Sequence, residues 1–251
     1  MVCTVHLTEK PTLNDPILIE GLPGIGFVAN IAALHLINEL NAPLFGEIHS
    51  SSFQDLAITS GNGKARFPTN ELYYHKAKNN EERDLIILYG NTQALTTTGQ
   101  YELAGKTLDT AKDLNCHYVI TLGGLRREEK ITKPPKLYCA ASDPEALKDA
   151  LNIGAEIIEG QIFGIAGLLI GLSPLWNIHG FCLLAETPGF HADATAAREV
   201  LTAINKMLHL QADMTHLDKA VESTREILKS FGLLSQTTEE KRKEEPSGWR
   251  I

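Results

Sequence analysis

Long hydrophobic runs are missing from this sequence. The longest, 162–172, holds 11 residues, four of them glycine or alanine, well short of the roughly 18 to 20 uncharged residues that cross a bilayer. No membrane partner is expected. Basic charge is also scarce: 23 lysines and arginines face 31 acidic residues, for a net charge of −8. A surface of that sign repels phosphate backbones, so nucleic acid is not expected as a partner either. Cysteine is sparse and unpaired. Cys3, Cys116, Cys139 and Cys182 lie far apart, with no Cys-x-x-Cys, which points to buried free thiols rather than a disulfide framework. Residues 1–12 have no basic segment leading into a continuous apolar one, the signature of a secretory signal, and a cytoplasmic location is expected. What is present is enough for one sizeable core: 251 residues, 43% of them apolar and 22% charged. The expected organisation is a single α/β domain over 1–234 and a flexible charged tail over 235–251.

Apolar runs and glycine turns alternate along the chain. Ile17 to Ile19 leads into Glu20-Gly21-Leu22-Pro23-Gly24-Ile25-Gly26, and a helical pattern follows through Ala29, Ala32, Ala33, Leu36, Ile37 and Leu40. Leu85 to Tyr89 reads as a buried strand before Gly90, Tyr118 to Leu122 as another before Gly123-Gly124, and Phe181 to Ala185 as a fourth, closing at Glu186-Thr187-Pro188-Gly189. Helical stretches are predicted around Tyr101 to Leu114 and from about Ile157 to Leu175. Strands alternating with helices predict an α/β fold, a mainly parallel sheet flanked by helices. Between Phe45 and Tyr74 the pattern changes to alternating Ser, Thr and apolar residues around Gly61-Asn62-Gly63, and a short antiparallel excursion is expected there.

From Ala192 the pattern is purely helical. Ala197, Leu201, Ile204 and Leu208 form one stripe; after a break near His209 to Asp213, a second runs through Met214, Leu217, Val221, Thr224, Leu228 and Phe231. That narrow seam suits an αα-hairpin lying on its own sheet, an intermolecular coiled coil, or an interaction helix for another partner. The tail is polar and mixed in sign from Ser235 to Ser247, then ends in Trp249-Arg250-Ile251. A tryptophan closing a solvated tail suits capture by a partner, and packing back on the domain is the alternative.

Gly24-Ile25-Gly26-Phe27-Val28-Ala29 fits the Gly-x-Gly-x-x-Gly/Ala pattern of a dinucleotide turn, with Glu47 as the following acid. Pro23 removes one amide donor just before it, and a tight turn with close helix–strand packing is the competing reading. The phosphate loop of nucleotide hydrolases is excluded, because Phe27 stands where Gly-Lys-Ser/Thr should follow. In open α/β sheets ligands collect beyond the carboxyl ends of the strands. Here those ends carry Gly21, Gly24 and Gly26; Asn91; Gly123, Gly124 and Arg126; and Glu186 and Thr187. They form either a ligand rim, in which an arginine grips an anion and Glu186 acts as base, or loops that need glycine and polar residues anyway. No histidine spacing on a predicted helix suits a metal, and no nucleophile elbow is present. No metal, cofactor or catalytic residue is expected.

Two blocks carry a family likeness. Glu20-Gly21-Leu22-Pro23-Gly24-Ile25-Gly26-Phe27-Val28-Ala29 is one. The other comprises Leu169-Ile170-Gly171-Leu172, Gly180 to Gly189 ending in Glu-Thr-Pro-Gly, Asp193, Ala196-Ala197 and Val200-Leu201. Over residues 15–232 the chain resembles the proteasome assembly chaperone family in its archaeal and bacterial form. The resemblance implies an α/β fold similar to that of purine nucleoside phosphorylases and a homo-oligomer, expected to be a trimer to pentamer. It implies an ATP-independent scaffold for proteasome α subunits or the core particle. It also implies a C-terminal tail ending in hydrophobic-Tyr-any residue, inserted between α-ring subunits with its carboxylate held by a lysine. Trp249 meets the hydrophobic position and Arg250 replaces the tyrosine before Ile251. A small-molecule enzyme acting on a nucleoside or nucleotide at the sheet rim is the alternative.

Overall fold

A computed structural model describes residues 3–59, 63–127 and 133–230. In chain order the first half runs β1 (Thr4–Leu7), β2 (Ile17–Gly21), α1 (Val28–Leu40), β3 (Leu44–His49), β4 (Ile58–Thr59), β5 (Ala65–Arg66), β6 (Asn70–His75), β7 (Leu85–Gly90) and α2 (Thr97–Asp113). The second half runs β8 (Tyr118–Arg126), β9 (Leu137–Ala141), α3 (Pro144–Asn152), β10 (Glu156–Ile157), α4 (Ile165–Leu172), β11 (His179–Thr187), α5 (Ala194–Leu208) and α6 (Leu217–Ser230).

The four expected apolar runs become the centre of a nine-stranded sheet, ordered β1-β3-β6-β7-β2-β8-β11-β9-β10. β7, β2, β8 and β11 are mutually parallel. They are buried on both faces, as near-continuous apolar runs require. Successive side chains point to opposite faces. Ile17, Ile19, Ile87, Phe181 and Leu183 therefore pack under α1 and α5, while Leu18, Ile86, Leu88, Cys182 and Leu184 pack under α2 and α4. Antiparallel strands extend this centre on both sides: β6, β3 and β1 at one edge, β9 against β11 at the other. The excursion expected between 45 and 74 is thus an antiparallel wing of the main sheet, with β4 and β5 paired in a small sheet of their own. All four cysteines are buried and free.

One local reading is corrected. The helix expected from about Ile157 begins only at Ile165. Gly160 and Gly164 take φ of +132° and +78°, which breaks any helix through them, and Glu156–Ile157 instead pairs with β9. The short helix α3 and strand β9 were not expected; α3 is opened by Asp143, whose carboxylate accepts from the amides of Glu145 and Ala146, with Pro144 in the first turn. The C-terminal seam packs within the chain: Leu217, Ala220 and Val221 are buried in the core shared with α1 and α5. Phe231 lies outside the described residues, as do the side chains of Thr224 and Leu228.

Candidate functional site

Alternation along β2 sends Glu20 and Gly21 to opposite faces. Gly21 lies under α1, and a Cβ there would collide with the Ala33 methyl and approach the Ala29 carbonyl. Glu20 points to the α2–α4 side and is 1% exposed. Its Oε1 accepts a 2.7 Å hydrogen bond from the Leu22 amide, while Oε2 has no partner. Burial pushes its carboxyl up to about 8, against the pull of backbone hydrogen bonds from Leu22 and Leu122. Glu20 is thus a protonated structural acid at neutral pH, which sequence reasoning did not single out.

The turn after β2 locks into the turn after β11. Gly26 has φ +63°, and a Cβ on it would sit 2.7 Å from Thr187 Oγ1. A Cβ on Gly124 would meet the Ile25 carbonyl and lie 2.7 Å from Thr187 Cγ2, and one on Gly123 would lie 2.6 Å from Leu184. Thr187 Oγ1 donates to Asp193 Oδ2 at 2.7 Å and accepts from the Gly189 amide at 3.2 Å. Asp193 Oδ1 accepts from the Thr195 and Ala196 amides and so caps α5, and the Asp193 amide donates to the Gly26 carbonyl at 2.9 Å. The two sequence blocks are therefore the two halves of one joint, and most of its glycines provide closeness between backbones. Gly24 differs: a Cβ there would meet nothing within 4 Å.

The other rim residues have structural partners too. Glu186 accepts from Tyr138 Oη at 3.2 Å and from the Lys136 amide at 3.3 Å, with Arg127 Nε 3.6 Å away. The Arg126 guanidinium carbon lies 4.5 Å from the centroid of the Phe190 ring, a cation–π arrangement. Asn91 Oδ1 accepts from the Thr69 amide at 3.2 Å. Glu47 does not serve as a dinucleotide acid. It lies on β3, which is separated from β2 by β6 and β7, whereas a ribose-binding acid ends the strand beside the glycine turn.

Beside Gly24 the described residues form a small, mainly apolar cleft. It is lined by Pro23, Phe27, Gln54, Thr92 and Leu95, and its volume of about 230 Å³ is smaller than the roughly 300 to 1,000 Å³ of ordinary small-molecule sites. Around it stand Phe163 (82% exposed), Phe190 (66%), Leu95 (65%) and Ile25 (48%). Their loops touch one another. A Cβ on Gly189, next to Phe190, would contact Ile25, and one on Gly164, next to Phe163, would contact Gln93, whose amide donates to the Pro23 carbonyl at 2.6 Å. The pattern of exposed apolar residues in four separate loops was not read from the sequence. Trp249, Arg250 and Ile251 lie outside the described residues.

Relatives share this fold. The chain is similar to Pyrococcus furiosus PbaB, an archaeal proteasome activator, with 38% identity, 92% of this chain and 99% of that one covered, and a TM-score of 0.82. It is similar to Pyrococcus furiosus PbaA, an archaeal homolog of proteasome-assembly chaperone, at 28% identity over 95% of this chain and all (100%) of that one, with a TM-score of 0.73. An uncharacterised protein of Methanocaldococcus jannaschii is 32% identical over 232 residues, covering 92% of this chain and 88% of the relative. The PAC2 family model matches residues 18–231, a span that holds both halves of the joint, and the chain belongs to the PAC2 family.

Proposed function

We propose that this chain is an ATP-independent, homo-oligomeric scaffold that binds proteasome α subunits or the core particle in the cytoplasm. Three to five copies of one α/β domain over 1–234 each carry a tail over 235–251 ending in Trp249, Arg250 and Ile251. The observation that carries this reading is the character of the rim. Its glycines other than Gly24, together with Thr187, are used up in packing, and it turns Phe163, Phe190, Leu95 and Ile25 to solvent. Side chains of that kind in adjoining loops mark protein contact more than turnover of a small polar substrate. The likeness to an archaeal proteasome activator and to a proteasome-assembly chaperone homolog supports the choice of partner. Several tails on one oligomer raise avidity without strong individual contacts.

Deleting Pro246 to Ile251 tests it. The truncated protein should keep its native mass and lose capture of a purified archaeal proteasome α ring in pull-down. Undiminished capture would remove the tail from the mechanism, and failure of the full-length protein to capture the ring would overturn the reading altogether.

A further inference from the structure

The α1 side of the sheet is helix-covered over β7, β2, β8 and β11, and the antiparallel wing of β6, β3 and β1 extends past that layer. Register writes one row across the wing on this side: His6 opposite Glu47, Glu47 opposite Glu71, and Glu71 opposite Tyr89. Directly opposed residues share a face with Cβ atoms about 5 Å apart, and like charges so placed repel. Two carboxylates are thus held side by side, although the packing of the wing depends on its other face, where Phe45, Ile48 and Leu72 are buried.

The row is built around acceptors. Tyr73 Oη donates to Glu71 Oε2 at 2.8 Å. Tyr89 has its ring 6.5 Å from that of Tyr73 and is only 6% exposed, yet its hydroxyl has no hydrogen-bond partner. Burial pushes the Tyr89 phenol up, and the charge of Glu71, which it faces, adds to this. Burial likewise pushes Glu71 up, with Glu47 adding to it and the nearby Arg66 opposing it. His49 Nε2 lies 3.0 Å from Glu47 Oε2, and its ring meets Phe67 edge-on at 4.7 Å. Among the described residues no lysine or arginine forms an ion pair with either carboxylate.

A buried hydroxyl without a partner calls for a hydrogen bond, and two directly opposed carboxylates with no lysine or arginine paired to them favour positive charge beside them. A metal ion suits the row poorly, since among the described residues no three His, Cys, Asp or Glu side chains could share one. A cation with N–H donors suits it well. It can donate to the opposed Glu71 and Glu47, with the Tyr73 ring and the unpartnered Tyr89 hydroxyl beside Glu71. We propose that the Glu47–Glu71–Tyr89 row is a binding site for an organic cation, an alkylammonium or guanidinium head. Free amines and guanidines carry that head, and so do the lysine and arginine side chains of a protein segment.

The full-length protein with ring-¹³C tyrosine, titrated with n-butylguanidinium and with neutral n-butylurea and followed by NMR, provides the test. The expected result is saturable movement of the Tyr73 and Tyr89 ring signals with the cation and none with the urea. Affinity should fall at least tenfold in Glu71→Gln and severalfold in Tyr89→Phe, both of which keep side-chain shape. Glu47→Gln, on the more exposed carboxylate, gives the same reading if Glu71→Gln lowers the yield of folded protein. A blocked Gly-Arg-Gly peptide, compared with Gly-citrulline-Gly, assigns the source. Tighter binding of the arginine peptide than of butylguanidinium makes a protein side chain the ligand, and equal binding makes it a free cation. Equal response to the cation and the urea, or affinity unchanged by both glutamate substitutions, would overturn the site.

Discussion

Thr187 fills the space that a side chain at Gly26 would need: a Cβ on Gly26 would lie 2.7 Å from Thr187 Oγ1 and 3.1 Å from its Cγ2. That hydroxyl is committed to Asp193 and the Gly189 amide, so it cannot swing aside without giving up the bond that steadies Asp193, the cap of α5. Gly26 also sits at φ +63°, where an L side chain costs roughly 1 kcal/mol or more. Gly26→Ala should therefore destabilise the protein by about 2 to 4 kcal/mol, a value reserved for named core faults. Combining it with Thr187→Ala should be less damaging than the sum of the two, because the clash is shared. Urea unfolding of the four proteins measures this; a Gly26→Ala midpoint equal to wild type would dissolve the joint as a structural element.

Glu20 makes a signed prediction about pH. Its folded carboxyl titrates at about 8 because it is buried, and an unfolded glutamate titrates near 4.3. The folded state binds more protons between those values, so this group's contribution to stability falls as pH rises from about 4 to 8. Glu20→Gln cannot ionise and should remove that slope, gaining on wild type at pH 8 relative to pH 5. Chemical denaturation at the two pH values checks it, and parallel behaviour of both proteins would mean that Glu20 is ionised or hydrated in the fold.

The centre of the sheet was legible because strands buried on both faces must be apolar at every position, as in Leu85 to Tyr89 and Phe181 to Ala185. The wing was legible only as a short antiparallel excursion between Phe45 and Tyr74: alternation marks half-buried strands, but it does not say that β6, β3 and β1 add to the edge of the main sheet. Asp143-Pro144 carried a readable helix start, but the helix behind it is too short to show a full stripe. At the rim, the sequence placed the right loops together and left the glycines with two meanings. Only the distance from Gly26 and Gly124 to Thr187 decides between a seat for a ligand and a close approach of chains, and that distance joins segments far apart in sequence.

The second C-terminal helix shows how a seam read from spacing is decided by its surroundings. Leu217 is fully buried in the core that it shares with α1. Leu217→Ala should cost about 2 to 5 kcal/mol of folding stability and leave the native mass of the folded fraction unchanged. Thermal unfolding together with native mass determination separates the cases. Loss of oligomer without loss of stability would restore the helix as an intermolecular element.

The exposed rim gives the sharpest contrast between surface and interface. Phe163 and Phe190 are 82% and 66% exposed, so replacing each by serine removes little buried area and should shift stability by no more than about 0.5 kcal/mol. In a protein that uses this rim for contact, the same pair of changes removes two aromatic anchors, and anchors of that kind dominate binding energy. Phe163→Ser/Phe190→Ser should weaken capture of the α ring at least tenfold with the unfolding midpoint unchanged. A fall in native mass with capture per subunit preserved would assign the rim to contact between copies. If capture and mass both survive, these side chains are ordinary surface, and the case for a scaffold would rest on the tail and the family alone.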